Sequence, residues 1–112
     1  MRAIAETKLY EMHSGRVRRF RISVYAPERD PLPNGDFRCR LFVTGLRARY
    51  AFGIDTFQAL NLAFALLRIE AKAMLGRRQR LYFDHQLKQQ FDIKLHLLGD
   101  HSAYLKRRAK QC

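Results

Sequence analysis

The chain has no tryptophan, two cysteines and three prolines, and none of its 112 residues falls in an uninterrupted apolar run of membrane-spanning length. Cys39, inside an alternating segment, and Cys112, the last residue, make no disulfide framework. The N-terminal Met-Arg-Ala-Ile-Ala-Glu turns polar before a signal-like apolar region develops, so the sequence reads as cytoplasmic, with no membrane partner. No Gly-rich phosphate loop, nucleophile elbow or helical zinc motif is present, and the expectation is a protein without catalytic residues, metal or cofactor. Acidic residues are also scarce, 10 against 22 basic. That balance has the wrong sign for an inhibitor that would cover the basic groove of a nucleic-acid-cleaving toxin.

What is present is enough for a core. An apolar content of 47% and 12% aromatics exclude a disordered chain, and residues 1–112 read as one domain. A chain of this length buries about two-thirds of its unfolded surface without a staple. The net charge of +12 is spread evenly, with eleven basic and five acidic residues on either side of the Ile54–Asp55 bond. Arginine outnumbers lysine 16 to 6, which suits bidentate contact with phosphate or carboxylate.

Hydropathy patterning gives the elements. Ile4 to Tyr10 reads as a strand, and Ser14-Gly15 as a tight turn into a second strand, Arg16 to Tyr25. There Phe20, Ile22 and Val24 alternate with Arg19, Arg21, Ser23 and Tyr25. Pro27, Pro31, Pro33, Asn34 and Gly35 then mark about ten residues of surface loop. In a third strand, Phe37 to Thr44, Cys39 shares the core side with Phe37, Leu41 and Val43, opposite Arg38, Arg40 and Phe42. Arg47 to Ile54 reads as a fourth, with Ala48, Tyr50, Phe52 and Ile54 opposing Arg47, Arg49, Ala51 and Gly53. Four successive strands imply an antiparallel meander.

The period then changes from two to about 3.6. Asp55 is a natural N-cap, and Gln58 stands where it completes a capping box. Phe57, Leu60, Phe64, Leu67, Ala71 and Met74 form an apolar stripe, widened by Leu62, Leu66, Ile69 and Ala73. The polar strip, Gln58, Asn61, Arg68, Lys72 and small Ala65, is narrow, so the helix must touch more than the sheet. Gly76 suits its C-cap, with Arg77 and Arg78 at the negative end of the dipole. Residues 79–90 carry no clear period. Phe91 to Leu98 alternates and reads as a fifth strand, and Ser102 to Gln111 as a short basic helix or frayed tail. The expected fold is α+β, an antiparallel sheet of about five strands (a meander, a long helix, then a strand) with one face covered by the helix.

Candidate chemistry is sparse. Of the four histidines, His96 and His101 flank Asp100, and His85 follows Asp84, but neither grouping has fixed metal-ligand spacing. Cys39 reads as a packing thiol, because strand alternation sends the neighbouring arginines to the other face. Glu28, Asp30 and Asp36 serve loop solubility and turn formation. The one constellation with chemical content is Arg19, Arg21, Arg38, Arg40, Arg47 and Arg49, all alternating away from the apolar side, with Tyr25 and Phe42 among them. On neighbouring strands these would make one cationic, partly aromatic face, the combination that holds single-stranded nucleic acid.

The run GIDTFQALNLA at residues 53–63, with Ile4-Ala5-Glu6-Thr7, Asp36-Phe37-Arg38-Cys39 and Lys94-Leu95-His96-Leu97-Leu98-Gly99, resembles a small bacterial family of domains of unknown function with a Gly-aliphatic-Asp-Ser/Thr-x-Gln-Ala-Leu stretch. Leu97 stands where such members have tryptophan. The resemblance implies a fold and a bacterial origin and gives no residue a role. The functional expectation is a non-catalytic binding or interaction module, homodimeric or with another protein partner through leftover apolar helix surface. The alternative is a nucleic-acid-binding protein using the arginine face.

Overall fold

A computed structural model describes residues 2–32 and 36–100 together with Lys106 and Arg108. It is α+β, as the patterning requires. Strand β1 (Ala3–His13) and strand β2 (Arg16–Tyr25) form a long hairpin. Ser14 and Gly15 both have positive φ, 51° and 79°, which is the tight turn whose twist matches the flanking strands. With two residues in the turn the pairing is set, so His13 faces Arg16, Tyr10 faces Arg19, Lys8 faces Arg21 and Glu6 faces Ser23. A bulge near Ile4 shifts the register once.

The chain bends at Ala26-Pro27. The expected loop then contains a two-residue strand, β3 (Glu28–Arg29), that continues along the same edge of β4 (Phe37–Val43) as β2 does. The other edge of β4 pairs with β5 (Arg49–Gly53). The main strands β1, β2, β4 and β5 are therefore the anticipated meander. Two short strands, β6 (Leu81–Tyr82) and β7 (Gln90–Phe91), extend the sheet beyond β1, so it has seven strands and not five.

Helix α1 (Thr56–Gly76) starts where Asp55 predicts, the carboxylate accepting the Gln58 N–H at 2.7 Å. Gln58 Oε1 reaches back to the N–H of Ile54, one residue beyond the usual capping box. The helix packs on β4 and β5, and the face it buries is displaced from the expected stripe. Ala59, Ala63 and Ala71 are fully buried with Leu67 and Met74, while Phe57 is 78% exposed. Proximity explains the shift: a Cβ on Gly53 would collide with the backbone nitrogen of Ala59, so strand and helix meet where side chains are smallest.

Gly76 is not the cap that ends α1. Arg77 follows in helical conformation and Arg78 carries the left-handed φ of 56°. Arg78 N–H donates to Leu75 O at 3.0 Å and Gln79 N–H to Met74 O at 2.9 Å, the paired bonds of a Schellman ending with arginine in the glycine position.

The expected fifth strand at Phe91 to Leu98 is a correction as well. Only Gln90 and Phe91 pair; helix α2 (Ile93–Leu98) follows. Asp92 caps it through Leu95 N–H at 3.2 Å, and Gly99 closes it at φ 69°. Ile93 and Leu97, four apart, turn toward the core and against α1. Between β6 and β7, Asp84 accepts the N–H groups of Lys88 and Gln89, forming the turn that the aperiodic segment conceals. The expectation for Ser102 to Gln111 lies outside the described residues, apart from Lys106 and Arg108, whose backbone is helical.

Candidate nucleic-acid interface

The core lies between the sheet and the helices. Leu9, Phe20, Ile22, Val24, Leu41 and Val43 point to it, and Cys39 is fully buried there, its Sγ–H donating to Tyr25 O at 3.0 Å. Burial pushes the Cys39 thiol above its ordinary pKa, so it is no ready nucleophile. Among the described residues no group of three His, Cys, Asp or Glu converges as a metal site would need. His85 meets the Tyr10 ring edge-on at 5.6 Å and His96 stacks on Phe91 at 4.6 Å; His101 lies outside the described residues. Of the loop carboxylates, Glu28 pairs with Arg38 at 2.8 Å and Asp30 accepts the Leu32 N–H. No helix among the described residues is long and apolar enough to cross a membrane.

The opposite side of the sheet carries the arginines. Strand alternation sends Arg19, Arg21 and Tyr25 of β2 and Arg38, Arg40 and Phe42 of β4 to this open face, and antiparallel pairing makes them neighbours. The rings and cations interleave. Arg21 lies over Phe42 at 4.4 Å, Arg38 over Tyr50 at 4.5 Å and Arg40 over Tyr25 at 5.3 Å. Six of the eight residues singled out in the sequence are thus brought together.

Arg47 and Arg49 are not among them. In β5 the register puts Arg49 opposite Leu41 and Ala51 opposite Cys39, so Arg49, Ala51 and Gly53 face the helix. Arg49 ion-pairs with the buried Glu70 of α1, and Arg47 borders the same small cleft. The large residues Tyr50 and Phe52 lie on the open face opposite Arg40 and Arg38. The parity read from hydropathy is inverted here because α1 comes too close to the Gly53 end of β5 for Tyr50 and Phe52 to fit beneath it, while Arg49 at the other end reaches Glu70.

Four residues of the face went unread: Lys8 and Tyr10 of β1, and Tyr50 and Phe52. The first two were legible, since the two-residue turn at Ser14-Gly15 dictates that Lys8 and Tyr10 sit opposite Arg21 and Arg19. Charge along the face is uneven. Arg38 is held by Glu28, whose hydrogen bond raises the guanidinium pKa further. Glu6 meets Lys8 and Arg21 only at 3.8 and 3.9 Å, and accepts the Ser23 hydroxyl at 2.9 Å. Around Lys8, Tyr10, Arg19, Arg21, Phe42 and Thr44 the face dips into a concavity of about 380 Å³.

A second surface is apolar. On the side of α1 turned from the sheet, Leu62 and Ile69 are 43% and 59% exposed, and Ala65, Leu66 and Ala73 fall on the same helical stripe. Arg68 and Lys72 are exposed beside it. No protein-family model, curated protein or solved structure matches this chain.

Proposed function

We propose that this chain is a non-catalytic binding module of the bacterial cytoplasm whose open sheet face holds single-stranded nucleic acid. The observation that carries the reading is the stacking of Arg21 on Phe42, Arg38 on Tyr50 and Arg40 on Tyr25, which lays rings and guanidinium groups side by side over neighbouring strands. Phosphates are matched by arginine donors in a fixed fork, and bases by flat surfaces that accept any of the four. Both helices lie on the other side of the sheet, so a strand would meet the face without displacing them.

The test is fluorescence anisotropy with nuclease-treated protein against single-stranded and duplex DNA and RNA, from about 50 to about 200 mM salt. If about four phosphates of a single strand are engaged, affinity falls on the order of fiftyfold over that range. Charge reversal of Arg21, Arg38 and Arg40 abolishes binding while the circular dichroism spectrum stays unchanged. Equal, weak binding to every form, vanishing at the upper salt, would overturn the reading.

The apolar stripe of α1 supports a second reading, self-association through Leu62, Leu66 and Ile69. Its salt dependence has the opposite sign. Arg68 and Lys72 of two copies would repel, so the dimer strengthens as salt screens them, and Ile69→Lys returns it to monomer in sedimentation.

A further inference from the structure

The open face has a direction. At one end Arg38 already carries a carboxylate, Glu28, at 2.8 Å. At the other, near the Ser14-Gly15 turn, three cations surround the concavity and their nearest carboxylate, Glu6, stands at the outer limit of an ion pair from Lys8 and Arg21. Arg19 is exposed, beside the ring of Tyr10. Past Arg19 and Tyr10 the face continues only to Val17 and Met12 before the chain turns. Uncompensated positive charge therefore accumulates where a bound strand runs out of surface.

We infer that this concavity seats the terminal phosphate of a single-stranded nucleic acid, with the terminal base against Tyr10 or Phe42; the inference rests on the binding function proposed above. The charge match favours an end over an internal linkage. Lys8, Arg19 and Arg21 less the Glu6 carboxylate leave two positive charges, and a terminal phosphomonoester carries about −1.5 to −2 near pH 7 whereas an internal diester carries a single negative charge. The concavity has room for more than a bare ion. A volume of 380 Å³ holds many times the roughly 30 Å³ share of one water and falls within the range of small-ligand sites. Thr44 closes one wall in a fixed orientation, its hydroxyl accepting from Arg21 N–H at 2.8 Å and donating to Arg21 O at 3.3 Å. The path from the Arg38 row to the Arg19 row covers eight residues along the strands, about 26 Å at the strand rise, room for a short oligonucleotide that ends in the concavity.

The experiment uses internally labelled oligonucleotides of about eight nucleotides, long enough to span the smallest single-strand sites. They carry a 5′ phosphate, a 3′ phosphate or hydroxyls at both ends, and are titrated against the whole chain. The expected result is about tenfold tighter binding for one of the two phosphorylated ends, the ratio carried by one charge-assisted contact, and it identifies the polarity of the strand. That ratio shrinks below about pH 6 as the monoester dianion takes up one proton and becomes a monoanion. Lys8→Gln with Arg19→Gln, both at exposed positions, erases the ratio: the hydroxyl-ended strand weakens too, but the phosphorylated strand weakens about tenfold more, so the two bind alike. Arg40→Gln weakens all three strands and leaves the ratio intact. Strands that bind alike whatever their ends, or a ratio that survives Lys8→Gln with Arg19→Gln, overturn the terminal-phosphate seat and leave the binding function standing. Absence of binding to any strand overturns both.

Discussion

Arg49 of β5 gives its guanidinium to the carboxylate of Glu70 on α1, tying the sheet to the helix from the side opposite the arginine face. Glu70 is only 8% exposed, so removing its partner strands a carboxylate in the interior. Arg49→Gln is expected to lower stability by about 1–2 kcal/mol, less than a fully buried pair would lose because the Arg49 side chain is 44% exposed. Strand affinity should stay within about twofold of the parent, since Arg49 lies off the open face, and any larger loss in the anisotropy titration would contradict its placement.

Gly53 is held by contact and not by its dihedral angles. A Cβ would meet the backbone of Gln58 and Ala59, which no rotamer change relieves. Gly53→Ala should therefore cost about 2–3 kcal/mol in denaturant unfolding. Ala51→Gly, a neighbouring change that makes space, should cost about 1 kcal/mol.

Arg78 occupies a left-handed position that glycine fills at less steric cost. Arg78→Gly is expected to stabilise the chain by about 0.5–1 kcal/mol, raising Tm by about 2–8 °C. A lower Tm would mean that the Arg78 side chain contributes more than its backbone geometry costs.

Asp84 holds the turn between β6 and β7 by accepting the Gln89 N–H at 2.7 Å and the Lys88 N–H at 3.0 Å, and these bonds, the Gln89 one foremost, lower its pKa below the ordinary carboxylate value. A carboxyl depressed in the folded state stabilises the fold above its unfolded pKa, and that contribution is lost as pH falls through the folded value. Stability should fall on acidification through the ordinary carboxylate range and below it. Asp84→Asn should flatten that part of the profile of urea midpoint against pH.

Much of the fold is legible in the sequence. The Ser14-Gly15 turn with alternation on both sides specifies one hairpin register, and Asp55 with Gln58 specifies where α1 begins. Two kinds of information were hidden. Residues 50–53 alternate between large aromatic and small residues, and hydropathy assigns the large ones to the core; the reverse holds because of a distance between strand and helix that no local pattern encodes. Residues 91–98 alternate like a strand for four pairs, yet Asp92 and Gly99 bracket a helix whose Ile93 and Leu97 lie one turn apart. There the caps outweigh the period. The same misreading of β5 placed Arg47 and Arg49 on the open face and left out Tyr50 and Phe52.

Ala59, Ala63 and Ala71 have no exposed surface, and with Gly53 they set how near α1 lies to the sheet. Each is already as small as a chiral side chain allows, so an added methylene would lift the helix away from β4 and β5. The open face has no such constraint. Tolerance to substitution is therefore uneven: the small residues under the helix accept no larger side chain without moving it, whereas exchange of the arginines and rings on the far side leaves that packing untouched. One face can thus be rewritten residue by residue on a scaffold whose other side stays fixed.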